Sequence, residues 1–586
     1  MGDRPGGRAW AAAFAGLGIA AAGGAGALAQ APANPGATAG TPAQLNPAAQ
    51  TESSVRRRRA ADLFSTPDPG PCPFRSSGLT FKLLGVDVAG STSLTAGKLE
   101  DAYADMIGRD VPVGAICDIR DRLSTMLFRR GVLARVEIPE QKIVDGRIRL
   151  EVIEAKIVSV RFHGDVGPAQ ARVEAYLNRL RGLQPFDLDT AQRYLLLAND
   201  IPGVRVNAAL RPSTAAGTGS ARGAIDLDVT IARDPFAVLG AVQNTSSEAL
   251  GRWSGIGRVD FNSFTRFGER TSLIGYATIG QNEQQVIQLV EEARIGSSGL
   301  FGRGSLAYGR SRPGDVLKPL NLKGDSVVGT FELDYPVVRL RRANLTLASG
   351  FDWVDQTTDF PGGGALTDDS VRIVWGRVDA AAQYLAPASV LGSSVAIAAD
   401  TSVEFRKGLS GLGASKPGAP ALSRVEGKPD AWVIRVEGQS GVRMDPLGAG
   451  LPLALSVRYQ AQYTDKPLLS YEEQAVGDLT IGRGYDPAAV SGDRAAGAEL
   501  KLQAGPVPVV RGFALAPYAF YDAARLWNLD RGSENRTIRS CGGGAELRTP
   551  YGVRVDLAYA KPLDRPYSSA LTKPPARVLL QVVIAR

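Results

Sequence analysis

Leu453-Ala454-Leu455-Ser456-Val457-Arg458-Tyr459-Gln460-Ala461-Gln462-Tyr463 decides the fold class of this chain. Leu453, Leu455, Val457, Tyr459, Ala461 and Tyr463 alternate with Ala454, Ser456, Arg458, Gln460 and Gln462. Successive side chains of a strand point to opposite faces, so this stretch is apolar on one side and wet on the other. Tyr551, Val553, Val555, Leu557 and Tyr559 against Gly552, Arg554, Asp556 and Ala558 repeat the pattern, as do Trp432, Ile434 and Val436 against Arg435 and Glu437. The closing run Val578 to Ile584 is strand-like too.

A soluble antiparallel sandwich also alternates, but its apolar face needs a covering layer. Beyond Asp234-Pro235 no amphipathic helix is legible to supply one. A transmembrane β-barrel needs none, because lipid covers its outside and water its inside, with aromatics such as Tyr463, Tyr551 and Tyr559 at the interfaces. The remaining stretch of about 350 residues, at roughly 20 per strand and turn, makes about 16 to 18 strands, and even numbers are preferred. We therefore expect an all-β antiparallel transmembrane barrel of 16 strands over residues 234–586, wide enough for an aqueous lumen.

Upstream the periodicity changes. Leu79 to Val88 reads as a strand, Leu94 to Ile107 as a helix, and Ile116, Ile119, Leu123 and Leu127 as the stripe of a second helix that Gly131 ends. Strands Val132 to Pro139 and Arg147 to Glu154 follow, joined through the Asp145-Gly146 turn. The order β-α-α-β-β then recurs: Ile157 to His163, Pro168 to Leu180, Leu188 to Ala198, Val204 to Arg211 and Ala224 to Ala232. Two α+β modules are thus expected, at 74–154 and 155–233, as a tandem repeat.

The first residues read as a secretory leader over 1–29: Arg4 and Arg8 precede an apolar run from Ala9 to Leu28, and Ala27-Leu28-Ala29 has the form of a cleavage site before Gln30. Residues 30–73, rich in Ala, Pro, Gly and Thr, form a tether, with one short helix read over Ser54 to Phe64 as a candidate plug. After the leader nothing offers the about 20 consecutive apolar residues of a spanning helix. Ala380 to Ala399, the longest uncharged run of the second half, is broken by Pro387, Gly392 and serines.

Three cysteines in an exported chain leave one over. An oxidising compartment favours pairing Cys72 with Cys117, the alternative being two buried thiols, and leaves Cys541 a lone thiol on a strand. The net charge of +8 and pI of 9.3 are spread over single arginines at alternating strand positions. The one dense cluster, Arg56 to Arg59, lies in the tether, so nucleic acid is not the expected partner.

Catalytic constellations are missing from the sequence. It has a single histidine, His163, and no H-E-x-x-H, C-x-x-C or G-x-S-x-G. Gly90 to Lys98 places six residues between its glycines where a phosphate loop has four, and reads as a turn into a helix. No enzyme activity, metal or cofactor is expected.

One loop stands out: Gly482-Arg483-Gly484-Tyr485-Asp486-Pro487, followed by Gly492-Asp493 and by Glu499-Leu500 on the next strand. A cation between two glycines can enter a confined space and hold a carboxylate there.

Leader, tether, repeated modules, barrel and this loop together resemble the outer-membrane transporters of two-partner secretion, the hemolysin secretion/activation proteins, over nearly the whole mature chain. In that family the modules are POTRA domains. Ala134-Arg135-Val136-Glu137-Ile138-Pro139-Glu140-Gln141, Asp145-Gly146 and Leu150 to Glu154 resemble the first POTRA, and Asn199 to Val204 the second. Gly542 to Arg548 and Tyr559 to Leu563 are similar to the last barrel hairpin. The loop is similar to the family's Val-Arg-Gly-Tyr motif, which folds back inside the barrel, and Phe520-Tyr521-Asp522-Ala523-Ala524 to its Phe-x-Asp-x-Gly strand. The resemblance implies a lumen latch built from Arg483, Gly484, Tyr485 and Asp522. Gly482 for Val, Ala524 for Gly and Arg586 for a terminal aromatic are departures.

It further implies export of a large exoprotein, bearing a secretion domain, from periplasm to cell surface. The other expected partners are outer-membrane lipid and the machinery that inserts the barrel. A barrel-assembly factor, whose relatives carry three or more POTRA modules, and a passive porin are the alternatives.

Overall fold

The computed structural model describes residues 45–55, 71–75, 77–181, 183, 185–213, 222–280, 283–362, 364–386, 393–446, 450–477, 481–531, 533–568, 570 and 572–586. The leader and most of the tether lie outside them.

The first module contains β1 (Thr80–Lys82), β2 (Gly85–Ala89), α2 (Ala96–Glu100), β3 (Asp110–Pro112), α3 (Ala115–Arg129), β4 (Ala134–Glu137) and β5 (Arg147–Glu154). Its sheet runs β2-β5-β4, with β2 parallel and β4 antiparallel to β5. Asp145 and Gly146 both take positive φ, 53° and 65°, as a tight hairpin turn requires. Ile116, Ile119, Leu123 and Leu127 are buried against the sheet, so the apolar stripe does form the core. The reading of one helix over Leu94 to Ile107 is corrected: α2 is a short piece followed by a separate 3-10 turn, Ala104–Met106. Leu79 to Val88 is likewise two strands, β1 pairing with β3 rather than with the main sheet.

The second module repeats the plan with β6 (Lys156–His163), α4 (Gln170–Leu177), α5 (Leu188–Asn199), β7 (Val204–Pro212) and β8 (Ala224–Arg233). Asp187 caps α5 by accepting from the Thr190 N–H at 2.8 Å. The modules are stitched together. Leu188 N–H donates to Gly131 O at 2.7 Å, Leu133 N–H to Phe186 O at 3.3 Å, and Phe128 and Leu133 pack on the second module's core.

Cys72 and Cys117 are joined, with their Cα atoms 5.8 Å apart, which ties the segment entering the module to α3. Closing a loop across a sequence separation of 45 restricts the unfolded chain by about 4 kcal/mol. Reduction, or C72S/C117S, is expected to raise hydrogen exchange selectively in Ala115–Arg129, read by mass spectrometry on the full chain. Unchanged protection there would count against a stabilising role.

Beyond Arg233 the chain winds a closed antiparallel barrel, from β9 (Phe236–Gln243) to β27 (Arg577–Ala585), which pair to close it. β22 (Arg494–Ala504) and β23 (Val507–Val510) both pair with β24 (Phe513–Trp527), with the register shifting by one residue between them at Gly505-Pro506. They are one stave interrupted by a bulge, so the ring has 16 strand positions. The deciding stretch is β19 (Leu453–Tyr463), with Leu453, Leu455 and Tyr463 exposed on the outer face and Gln462 buried inside. Outward Tyr459 lies over Gly438 and its hydroxyl shares a 2.5 Å hydrogen bond with Thr401. Arg586 carries the C-terminus into the seam, exchanging two 2.9 Å main-chain bonds with Val238.

Leu239, Ala241, Ile256, Ile274, Val286 and Val290 break the alternation, because they are apolar yet face the lumen. A helix, α1 (Pro47–Val55), covers them. Leu45, just before it, packs within that cluster, the Ala48 N–H donates to Gln288 Oε1 at 2.9 Å, and the Thr51 hydroxyl accepts from Arg258 Nη1 at 3.0 Å. The helix has Pro47 in its first turn and Asn46 Oδ1 accepting from Ala49 N–H at 3.3 Å, and it reaches only the first two residues of the candidate plug read over Ser54 to Phe64. Residues 56–64 of the reading lie outside the described residues. The signal was weak because Pro47–Val55 has only a faint apolar face; Arg258 and Gln288 hold it by polar contacts instead.

Candidate functional site: the lumen loop

Between β19 and β22 the chain folds back into the barrel as a two-stranded ribbon, β20 (Gln474–Val476) and β21 (Val490–Gly492), whose tip carries Gly482 to Asp486. Arg483 is 7% exposed, Glu499 4% and Asp522 0%, so the tip sits in a dehydrated part of the lumen.

Arg483, Gly484, Tyr485 and Asp522 are brought together, in an arrangement that differs from a simple Arg–Asp clasp. Asp522 Oδ2 accepts from the main-chain N–H of Arg483 at 3.0 Å and of Gly482 at 3.3 Å, and from the Ser540 hydroxyl at 2.9 Å. The guanidinium reaches the neighbouring strand, where its Nη2 pairs with Glu499. Glu499 and Asp522 are direct cross-strand partners, so one loop residue bridges two carboxylates, by its backbone and by its side chain. Its planar group also lies 4.4 Å from the Phe520 ring centre, a cation–π contact.

The glycines explain the close approach. A Cβ on Gly484 would lie 2.7 Å from Pro562 N and 3.0 Å from Lys561 C, both backbone atoms of the wall. Gly482 has φ 88°, a conformation that Val strongly disfavours, so here the departure from Val matches a left-handed turn. The departure at Ala524 is matched across the ladder: it faces Gly497, where an added Cβ would lie 3.1 Å from that of Ala524.

Tyr485 is 1% exposed. Its hydroxyl lies 3.0 Å from the carbonyls of Arg539 and Asp564 and accepts from the Asp564 N–H at 2.9 Å. Arg577 donates to the Tyr485 carbonyl and lies 3.3 Å from Asp486, which Arg252 also meets at 3.1 Å. These last contacts join the loop to the final stave, through Arg577, and to the connection that follows the first stave, through Arg252.

Two anchors were not assigned from the sequence. Asp493, 0% exposed, accepts from the N–H groups of Leu468 and Leu529 at 2.7 Å each and pairs with Arg424, gathering three connections at the barrel end opposite the modules. Glu472 pairs with Arg406 at 3.0 Å and Arg435 at 3.6 Å. Asp493 was visible in the quoted Gly492-Asp493, but its partners are remote in sequence. Glu499 could have been found by laying the two strands in register, which sets it opposite Asp522.

The family model described as haemolysin secretion/activation protein ShlB/FhaC/HecB matches residues 223–549, more than half of the chain. The chain belongs to this family. An ShlB-type POTRA model matches residues 81–155, the first module. The heme/hemopexin transporter protein HuxB of Haemophilus influenzae is 21% identical over 542 residues, covering 89% of this chain and 91% of that protein. CdiB from Escherichia coli has the same fold, with a TM-score of 0.69 at 15% identity over 92% of this chain and 96% of that one. CdiB from Acinetobacter baumannii gives 0.63 at 12% identity, over 92% and 97%. The protein is therefore an outer-membrane β-barrel transporter of two-partner secretion, exporting a partner protein, and its family is one of transporters rather than enzymes.

Proposed function

We propose that the two modules stand in the periplasm and receive the partner exoprotein as an extended, unfolded chain along a sheet edge, where main-chain bonds bind with little sequence demand. The barrel lumen then conducts it outward, and folding outside prevents return, without nucleotide hydrolysis. Passage displaces two segments from the lumen: the helix Pro47–Val55 and the latch of Arg483, Gly484, Tyr485 and Asp522. The observation that carries this reading is that both occupants sit inside an otherwise closed barrel and are joined to its wall by polar contacts, Ala48 to Gln288 and Thr51 to Arg258 for the helix, Arg483 to Glu499 and Asp522 for the loop, beside small apolar clusters at Leu45, Ile481 and Tyr485. The polar contacts can be exchanged for water or for the polar backbone of a passing chain.

Two modules, not three or more, favour export over barrel assembly, and a porin would explain neither modules nor latch. Lipid contacts the outer face, the barrel-assembly machinery inserts the chain, and nucleic acid has no part. The test is reconstitution of export: a bacterium is given the gene of a candidate exoprotein with or without this chain, and the medium is assayed. Appearance of the exoprotein only when the chain is present supports the reading. Equal amounts in both cultures overturn it.

A further inference from the structure

The second module does not merely precede the barrel; it is fastened to the barrel's turns. Arg339 grips the Asp200 carboxylate with two bonds of 2.7 Å, and Arg193 donates to Val337 O at 2.9 Å and to Ser298 O at 3.2 Å. Arg294, at the foot of β12 (Gln284–Arg294), donates to the Asp200 carbonyl.

From Arg294 a run of alternating charges climbs the inner wall. Arg294 meets Glu292 at 2.9 Å, Glu292 meets Arg303 on the next strand at 3.1 Å, and Arg303 meets Glu332 on the one after at 3.3 Å. Register sets each of these cross-strand partners directly opposite. The next strand is crossed without a charge. It presents Gly350 opposite Glu332 and Ala348 opposite Arg377, and over these small residues Glu332 and Arg377 pair directly. Arg377 then meets Glu404 at 3.5 Å, Glu404 meets Arg406 at 2.9 Å, and Arg406 meets Glu472 of the lumen loop at 3.0 Å. The run begins at the barrel arginine that holds the module's Asp200 carbonyl and ends on the segment that bears the latch.

We propose that this ladder couples the docking of the second module to the seating of the lumen loop, with Arg377 and Arg406 as its positioning residues. Each acidic rung between Arg294 and Arg406 is shared by at least two arginines, Glu292 also meeting Arg270 at 2.9 Å, and Arg377 and Arg406 each lean on a further carboxylate, Asp379 at 2.9 Å and Asp352 at 2.8 Å, so moving one member shifts the charge balance its neighbours share where water is scarce. The energetic consequence then passes along the wall. Unrelated wall pairs would not link the two moving parts end to end. The inference deepens the export reading, because a module pulled by incoming cargo would loosen the loop before the cargo reaches it.

The experiment uses the full chain in native outer membrane, with C541S and S470C leaving one free thiol, at position 470 of the lumen loop. The readout is the rate of maleimide labelling, with heat-modifiable electrophoretic mobility certifying a folded barrel. Undocking by R193A/R339Q is expected to raise that rate by about fivefold, and in an R377Q background the ratio of undocked to docked rates falls to below about two. A ratio near one without R377Q overturns the proposal. So does a fivefold ratio that persists with R377Q, since coupling would then bypass the ladder. Should R377Q fail to fold, R303Q cuts the same ladder and is read in the same way. Labelling needs no cargo, so failure here is distinct from failure of the export reading.

Discussion

R483A is expected to reduce export by roughly tenfold or more while the barrel still closes, a loss far larger than that of one surface ion pair. Arg483 is the side chain that neutralises Glu499, and Glu499 faces Asp522 directly across the ladder. Removing the cation leaves two buried carboxylates opposed, at a cost of about 3 to 5 kcal/mol. The loop relieves that cost by withdrawing and letting water in, and an export cycle that must start from the seated loop then has no starting state. The folded barrel survives because each stave is paired along its length and the 16 strand positions are closed independently of the loop. R483A/E499Q separates charge from position: it removes the uncompensated carboxylate, so loop protection from protease returns in part. Export does not, because the contact with the Phe520 ring, 4.4 Å from the guanidinium, is still missing. Both quantities are read in one culture, export from the medium and loop protection by limited proteolysis of cells. Normal export by R483A would remove the latch from the mechanism.

What the sequence disclosed, and what it concealed, follow from how far each interaction reaches. Alternation of period two is local, so Leu453 to Tyr463 could be assigned faces without knowing any neighbour, and Gln462 and Tyr463 do fall on opposite sides. The repeated modules were legible for the same reason, since Ile116, Ile119, Leu123 and Leu127 lie within one helix. Where several weak local preferences compete, the boundaries slipped: β1 and β2 were read as one strand, although Leu83 between them turns inward to full burial. The lumen helix Pro47–Val55 is not legible in its own periodicity, because the wall holds it. At the latch, Arg483 stands out from its own loop and Asp522 follows from the resemblance, whereas Glu499 depends on register between strands separated by a bulge and a turn. Arg424 and Asp493 were still less accessible, each lying in a different connection.

G484V is expected to reduce export at least as far as R483A, by a route that owes nothing to charge. Any Cβ at this site falls 2.7 Å from Pro562 N and 3.0 Å from Pro562 Cα, which are main-chain atoms of a barrel stave. A flexible side chain could rotate away from such a contact, but a paired strand cannot move without breaking its ladder. The loop tip must then retreat from the wall. Retreat costs the Gly484 N–H its bond to Ser540 at 3.3 Å, and with it the geometry that presents the Arg483 N–H to Asp522. Tyr485, wedged at 1% exposure, is pulled from its three main-chain partners at Arg539 and Asp564. G484A meets the same obstruction with less bulk beyond Cβ and should show an intermediate loss. The order of exported amounts, native above G484A above G484V, is therefore diagnostic of steric approach. Equal export by all three would show that the loop tip need not touch the wall at Pro562 for the transporter to work.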